Sequence, residues 1–405
     1  MKPRKTTNSE LQQPVLLLDT FTLLQLRLHQ LFGMCAVPLG RQCDLATVNQ
    51  RPQSAGIWQQ RFLLLWHCLH FILFFLVHLW TSVNHDSILY NSDSFGKFND
   101  LLKLIGTIIS HFVILTETII RRRAMEKFLT VYTQLHYKWH GAVGVRAEFQ
   151  LYRKFFCRSS IFIFVVILID VAYLREISRN RKWMTFFIPF IPSGLICNLR
   201  SVQIMLFMEM LRTEVVHLNG NIERLVLFSE RNYRVKFQKR DQFERKICAE
   251  LQTFMECYQE IYEMFTLLKK AVGMSMTCNY VKDYVMILSE CYWSYWMVYN
   301  GEHITEYLLI VPTAVSIFLL LITSRNCMRS TNFLAHNIHK IRHDIEDFNI
   351  STRLQSFALQ MLHQQIIIDG FGFFVLNCNM ARDILGSIAT YMIFFIQFMP
   401  KFKSF

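Results

Sequence analysis

Long hydrophobic stretches alternate along this chain with polar stretches that are rich in basic residues. A helix that crosses a bilayer needs about 20 mostly apolar residues, and seven stretches meet or approach that length. We predict spans at residues 62–82, 101–120, 161–173, 184–206, 271–299, 307–323 and 366–398. The third is short as drawn, so we expect its helix to begin earlier. The pattern therefore predicts an all-α membrane protein with seven transmembrane helices.

The other apolar stretches have the spacing of amphipathic helices rather than of spans. Residues 15–39 are apolar but are interrupted by polar residues such as Asp19 and Arg27, so we expect them to lie on the membrane or on the protein. In residues 251–268 apolar positions recur every three or four residues, which predicts a long helix outside the bilayer. Residues 330–365 are also polar and helical in pattern.

Composition and charge support the membrane prediction and orient the chain. The sequence is 52% hydrophobic and 18% charged, with a mean hydropathy of +0.24, which is too apolar for an ordinary soluble protein of 405 residues. Residues 121–158 carry nine Lys or Arg, and residues 212–270 carry eleven. The positive-inside rule places both loops and the N-terminus in the cytoplasm, and the C-terminus outside. The loop between spans three and four is also basic, although this topology places it outside, where the rule predicts few basic residues.

The net charge of +13 could also suggest a nucleic-acid partner. The basic residues lie beside hydrophobic segments, however, where membrane orientation and anionic lipid headgroups explain them better. We therefore expect membrane lipids as partners, and no nucleic acid.

A stripe of polar and aromatic side chains runs along the last predicted helix. At steps of three or four residues it contains Asp383, Ser387, Thr390, Phe394, Gln397 and Lys401. Polar groups in hydrocarbon are costly, so the stripe faces either a water-filled axis or neighbouring helices. Around an axis, Phe394 or Phe398 rings would close a pore by dewetting, and Gln397 amides would partly replace ion hydration. The residues alone leave both interpretations open.

An aromatic cluster near the end of the fifth span is a second candidate site. Tyr292, Trp296 and Tyr299 share one helical face. They would either line a pocket for a small organic ligand or form an interfacial aromatic belt. Weaker candidates at similar depth on other spans are Asp170, Phe187, Phe190 and Tyr307.

The remaining polar residues predict structure rather than chemistry. Arg200 and Glu117 are ionisable residues inside two spans, and we predict that they pair because such residues are usually paired in a bilayer. The eleven cysteines include no CxxC pair, which argues against zinc ribbons and redox dithiols. The sequence has no P-loop, GxSxG or HExxH motif, so we predict no enzyme, no metal site and no cofactor.

The final segment resembles the C-terminal signature of the insect gustatory receptor family. That signature is Thr-Tyr, five hydrophobic residues and Gln-Phe, and it is complete here from Thr390 to Phe398. Gly372-Phe373-Phe374 and Leu31-Phe32-Gly33-Met34 are also similar to the family. The overall plan of seven spans with a cytoplasmic N-terminus matches over the whole length.

The resemblance implies a ligand-gated, non-selective cation channel that assembles as a tetramer. The last helix of each subunit would line a central pore, with its gate built from the stripe and the signature. These pore and gate residues are Thr390, Tyr391, Phe394, Gln397, Phe398, Ser387 and Asp383. Tyr391 also has an alternative role in packing against a neighbouring helix.

Further expectations follow from the same resemblance. The ligand pocket would lie among the outer halves of spans two to six, and the long cytoplasmic helices would form an anchor domain. One receptor domain would then comprise a cytoplasmic segment, spans one to six, an anchor segment, a pore helix and an extracellular tail, at residues 1–61, 62–323, 324–365, 366–399 and 400–405.

The resemblance also bears on the ligand. Met392 stands where sugar-sensing relatives often carry an acidic residue, which lowers the expectation of a sugar. A bitter or aversive tastant, the commonest case in the family, is therefore expected. The receptor would act in the plasma membrane of chemosensory neurons, as a homotetramer or together with other gustatory receptors. An odorant or contact-pheromone receptor of the same superfamily is the alternative.

Two unrelated classes also contain multi-span helical proteins. A secondary transporter would show inverted repeats, and we find no convincing internal symmetry. A G-protein-coupled receptor usually has its N-terminus outside, whereas the charge bias here places it inside.

Glycosylation tags at the two termini test this topology. We expect a tag on the C-terminus to be glycosylated and the same tag on the N-terminus to remain unmodified, because only the outer side meets the glycosylation machinery. The measurement is the endoglycosidase-sensitive shift in gel mobility. The reverse pattern would contradict the topology and favour a G-protein-coupled receptor.

Overall fold

The computed structural model describes residues 16–18, 20–41, 57–84, 94–140, 145–177, 181–232, 240–300, 307–343 and 348–398. The helices in these ranges are α1 (Thr20–Leu31), α2 (Ile57–Val83), α3 (Ser94–Ile120), α4 (Arg122–His140), α5 (Val145–Ile177), α6 (Arg181–Asn232), α7 (Arg240–Asn300), α8 (Tyr307–Ile338), α9 (Phe348–His363) and α10 (Cys378–Phe398). Two short strands, β1 (Leu16–Leu18) and β2 (Leu39–Arg41), pair in parallel with Leu16 opposite Leu39. The architecture is thus helical, apart from one strand pair that the hydrophobic pattern did not predict.

Five helices in the described ranges are long and apolar enough to cross a membrane. The candidate segments, each of which contains such an apolar stretch, are Trp58–Val83 in α2, Gly96–Ile120 in α3, Arg153–Arg175 in α5, Pro189–Asn232 in α6 and Ile310–Ile338 in α8. They contain predicted spans one, two, three, four and six, and α5 begins well before residue 161, as expected. In α2 and α5 only 22% and 17% of the most apolar stretch is buried, so most of their apolar side chains face outward, as contact with lipid requires.

The predicted fifth and seventh spans are not among these five. The fifth span is part of α7, a helix of 61 residues, and its predicted length contains buried Lys282, Asp283 and Glu290. Lys282 Nζ and Asp283 Oδ1 are 2.5 Å apart. Charged side chains buried in this way lie against protein rather than lipid.

The contacts divide the chain into two compact units. The first comprises Met1–Thr133 and His140–Arg200, and the second comprises Gln134–Trp139 and Ser201–Phe405. The first unit has a core of buried side chains from the turn after α1, from α3 and from α6: Met34, Ile114, Ile196, Cys197 and Leu199. His29 of α1 also reaches α6, with its Nε2 3.0 Å from the carbonyl oxygen of Leu199. The N-terminal apolar segment is therefore a short helix packed on the protein, in agreement with the prediction.

The predicted ion pair is confirmed inside the first unit. Arg200 Nη2 donates a hydrogen bond of 3.2 Å to Glu117 Oε2, and the two side chains are 1% and 5% exposed. The pair joins α3 to α6 at a depth where neither charge reaches solvent.

The second unit is built on α7, against which α8, α9 and α10 all pack. The helical spacing seen in residues 251–268 is confirmed, because Leu251, Tyr258 and Ile261 are fully buried on one face of α7. On α9 the same spacing buries Ile350, Leu354, Phe357 and Met361.

The predicted last helix, 366–398, is wrong at its start. The helix α10 begins at Cys378, and residues 364–377, which we call the connector, are not helical. Asp369 pairs with Val375 in an isolated antiparallel bridge, and the chain reverses through Phe371 and Gly372, whose φ angles are 54° and 82°. Gly372 adopts its positive φ at little cost, whereas Phe371 takes the left-handed conformation without that freedom, and a right-handed helix accommodates neither angle.

Replacing Glu117 tests the buried pair. Glu117→Met removes the carboxylate that Arg200 contacts, and we expect the free energy of unfolding to fall by about 3–5 kcal/mol. The double variant Glu117→Met with Arg200→Leu removes both charges, and its free energy of unfolding should be closer to that of wild type. The measurement is thermal unfolding of the purified chain in detergent.

The matched control is Glu260→Gln on α7. Lys138 Nζ and Glu260 Oε1 are 3.4 Å apart, but their side chains are 38% and 36% exposed. Such a pair contributes less than about 1 kcal/mol. Equal losses for Glu117→Met and Glu260→Gln would contradict the structural role given to the buried pair.

Candidate functional site

The connector is a tight hairpin that leads into α10. The amide of Gly370 donates to the carbonyl oxygen of Phe374 at 2.8 Å, and the amide of Leu376 donates to that of Ile368 at 2.9 Å. The ring of Phe374 folds back over Gly370, so a side chain at that position would collide with it. The hairpin therefore depends on glycine at position 370.

Three side chains from other helices hold the connector. The Tyr258 hydroxyl donates to the carbonyl oxygen of Gln364 at 2.7 Å, Lys269 Nζ to Asp369 Oδ2 at 2.8 Å, and Ser324 Oγ to the carbonyl oxygen of Leu376 at 2.6 Å. Burial raises the pKa of Tyr258 to about 12, so its hydroxyl keeps the proton that it donates. The connector is thus fixed at its beginning, middle and end by α7 and α8.

Helix α10 packs through one narrow face and exposes the rest. Ser387 lies on the packed face and accepts a hydrogen bond of 3.0 Å from the Tyr284 hydroxyl of α7. Large apolar side chains such as Leu385 and Ile393 are more than half exposed on the other faces. An apolar helix exposed in this way needs lipid or further protein around it.

The predicted pore residues divide between these faces. Asp383, Thr390, Tyr391, Phe394 and Gln397 are exposed, and the Thr390 hydroxyl donates to the carbonyl oxygen of Gly386 within the helix. Ser387 is half-buried, and its contact with Tyr284 favours the packing interpretation at that position. Phe398 ends α10, but its side chain lies outside the described residues.

A cavity of about 530 Å³ opens between α7, the connector and α10. The side chains that determine its chemistry are Tyr280, Tyr284, Phe374, Asn377, Asp383 and Ser387. Two predicted pore residues, Asp383 and Ser387, thus border a cavity next to α7. Sequence periodicity did not reveal it, because the cavity exists only where the connector turns back toward α7.

The predicted ligand residues are divided between the two units. On α7, Tyr292 is buried with its ring centroid 5.6 Å from that of Trp293, whereas Tyr299 is exposed and stacks on Tyr295. In the first unit, Phe190 is buried and Asp170 is half-buried. Three further candidates lie in helices, but their side chains are outside the described residues: Trp296, Phe187 and Tyr307.

Sequence reasoning missed a buried polar cluster in the first unit. His78 Nε2 of α2 and His111 Nδ1 of α3 lie 3.1 Å and 3.0 Å from Ser193 Oγ of α6. Phe74 packs on both imidazole rings. Two histidines inside apolar spans were the signal that could have revealed it, because ionisable residues at membrane depth usually have a role. No group of three or more possible metal ligands occurs among the described residues.

The apolar helices, the long charged helices and the exposed C-terminal helix together define a multi-span helical membrane protein. The pattern of the 7tm chemosensory receptor family matches residues 23–402. The chain belongs to that family, and thereby to the insect chemoreceptor superfamily.

Individual relatives agree with this assignment. Putative gustatory receptor 2a of Drosophila melanogaster is 22% identical, and the alignment covers 75% of this chain and 79% of that protein. The structure of the insect olfactory receptor OR5 from Machilis hrabei has a TM-score of 0.58 at 13% identity, covering 86% of this chain and 93% of that one. The same receptor in complex with eugenol gives a TM-score of 0.57 with equal identity and coverage. The family resemblance seen in the sequence is confirmed, and chemoreceptors of this family and fold are not enzymes.

Adding a methyl group at Gly370 tests the connector. A Cβ there would lie 2.5 Å from Cζ of Phe374 and 2.6 Å from its Cε2. Gly370→Ala therefore forces the ring away from Tyr280, and we expect a loss of about 1–3 kcal/mol in the free energy of unfolding. Thermal unfolding in detergent measures this loss.

Gly220→Ala on α6 is the matched control, because nothing lies within 4 Å of its added Cβ. Alanine has a higher helix propensity than glycine, so the control should be neutral or stabilising by up to about 1 kcal/mol. If Gly370→Ala and Gly220→Ala change the free energy of unfolding equally, the connector does not require glycine at position 370.

Proposed function

We propose that this chain is a gustatory receptor that acts as a ligand-gated, non-selective cation channel opened by a small organic tastant. It would work in the plasma membrane of chemosensory neurons, with its N-terminus in the cytoplasm and its C-terminus outside. Membership of the chemosensory receptor family supports the sensory role, and the likeness to gustatory receptor 2a favours taste.

The observation that carries the channel proposal is the exposed face of α10. Thr390, Tyr391, Phe394 and Gln397 belong to the gustatory signature and are exposed on a helix held by one narrow face. Four copies of α10 around an axis would cover this face. Its polar groups would then form hydrogen bonds with water in the pore or with one another. We therefore propose a tetramer, formed by this chain alone or with other gustatory receptors.

The proposed gate uses rings and amides at successive turns of α10. Phe394 and Phe398 would close the axis by dewetting, and a small rotation would bring Gln397 amides toward passing ions. Asp383 would attract cations nearer the cytoplasm. Because the narrow part would have no ring of charged side chains, we expect weak discrimination among cations.

Helix α7 would couple ligand binding to the gate. It carries both Tyr292, a candidate ligand contact, and Tyr284, which bonds Ser387 of α10. These two tyrosines are two turns apart, or about 12 Å along the helix. A ligand that shifts α7 would therefore move α10 directly, and the connector would limit that movement.

Two observations bear on the class of ligand. Met392 in place of an acidic residue lowers the expectation of a sugar, so a bitter or aversive compound is proposed. The likeness to olfactory receptor OR5, whose structure with eugenol is known, favours an odorant receptor as the second candidate. Both candidates take small organic molecules.

Whole-cell recording tests the channel and its pore helix together. Cells that express this chain are screened with bitter compounds, sugars and cuticular compounds, beside a Gln397→Ala variant. We expect a ligand-evoked cation current in wild type. In the variant we expect lower conductance and a shifted reversal potential under bi-ionic conditions, because the amide oxygens at the axis are lost.

Gln355→Ala, at an exposed glutamine of α9, is the matched control and should leave permeation unchanged. A ligand-evoked current with unaltered permeation in Gln397→Ala would remove Gln397 from the pore. A response that requires G-protein signalling would overturn the channel proposal. If the chain reaches the surface without current, co-expression with other gustatory receptors tests the heteromeric form.

A further inference from the structure

The cavity between α7, the connector and α10 shares no residue with the tastant candidates. It has a volume of about 530 Å³, within the 300–1,000 Å³ that is typical of sites for small ligands. It lies beside the proposed pore helix and shares Tyr284, Asp383 and Ser387 with the gating mechanism above, which assigns no ligand to it.

Aromatic rings form one side of this cavity. The ring centroids of Tyr280 and Phe374 are 4.9 Å apart with a tilt of 36°. Tyr284 continues this side, and its hydroxyl is held by Ser387. Tyr280 is only 5% exposed, and its hydroxyl has no hydrogen-bond partner among the described residues. A ring-lined wall with one unsatisfied hydroxyl is suited to an amphipathic guest.

The charge at the cavity is negative. The Asp383 carboxylate borders it, and no Lys or Arg side chain lines it among the residues that the structure describes. Arg382 Nε is 3.5 Å from Asp383 Oδ1, but both side chains are largely exposed, at 80% and 68%, so water screens this pair strongly. One carboxylate thus stands at the edge of an aromatic wall.

We propose that this cavity binds a small hydrophobic organic cation, namely a quaternary or tertiary ammonium compound with an aromatic or alkyl body. The body would pack on Tyr280 and Phe374, and the ammonium group would lie between the aromatic faces and Asp383. Such a cation gains from ring quadrupoles and from the carboxylate at once. A bound cation stands between α7 and α10, so it hinders any approach of these helices.

Direct binding to the full chain tests this inference without any channel current. The purified protein is reconstituted in lipid nanodiscs, and binding of radiolabelled phenyltrimethylammonium is measured by equilibrium dialysis. tert-Butylbenzene, which has the same shape without the charge, serves as the neutral comparison. We expect saturable binding of the cation with one site per chain.

Three variants locate the site. Asp383→Asn should weaken binding of the cation about tenfold but leave binding of tert-butylbenzene unchanged. Phe374→Leu should weaken binding of both probes, because the aromatic wall is lost. Glu263→Gln removes a carboxylate from an exposed position of α7 outside the cavity, and it should leave binding of both probes unchanged.

Several results would overturn the proposal. Equal affinity in wild type and Asp383→Asn would remove the carboxylate from the site. A second contradicting result has three parts: Asp383→Asn loses cation binding, Phe374→Leu keeps it in full, and one cation binds per assembly. This result would place the cation on a central axis instead of in the cavity. Absence of saturable cation binding by the folded wild-type protein would mean that the cavity is closed by another copy or by lipid. None of these outcomes depends on whether a tastant opens a channel.

Discussion

The backbone between α9 and α10 must satisfy its polar groups without a helix, and much of the second unit depends on how it does so. Residues 364–377 bond partly to each other and partly to Tyr258, Lys269 and Ser324. These contacts fix where α10 begins and which face it turns toward α7. Most of α10 beyond these contacts remains exposed, as the proposed assembly around an axis requires. The same turn creates the cavity beside Tyr280.

Buried charge separates the helices that face protein from those that face lipid. Glu117 of α3 and Arg200 of α6 bury their pair completely, and α7 buries Lys282 and Asp283. Charge at such depth is tolerated only when it is paired and enclosed by protein. In contrast, α2 and α5 turn apolar side chains outward along most of their length. The charged residues of a few helices thus mark the faces that must pack on protein.

Helix α7 connects the functional proposals. It carries a candidate tastant contact at Tyr292, the contact to the proposed pore helix at Tyr284 and the cavity wall at Tyr280. A tastant and an organic cation would therefore act on one helix from different positions. Movement of α7 against α10 is the shared step, because α10 packs on α7 and α8 alone among the strong contacts of the described residues.

The sequence by itself determined the class of the protein and most of its spans, because apolar length and flanking charge are local properties. It also predicted the pairing of Arg200 with Glu117, since a lone charge in a span is costly, and the signature in α10 indicated the family. The tertiary structure alone decided the start of α10, the contact between Ser387 and Tyr284, and the cluster of His78, His111 and Ser193. Apolar residues dominate positions 366–376 despite Asp369, Gly370 and Gly372, so hydrophobic length alone did not separate a turn from a helix there. The partners that decide between them are distant in sequence, up to 106 residues for Tyr258 and Gln364, and only folding brings them together.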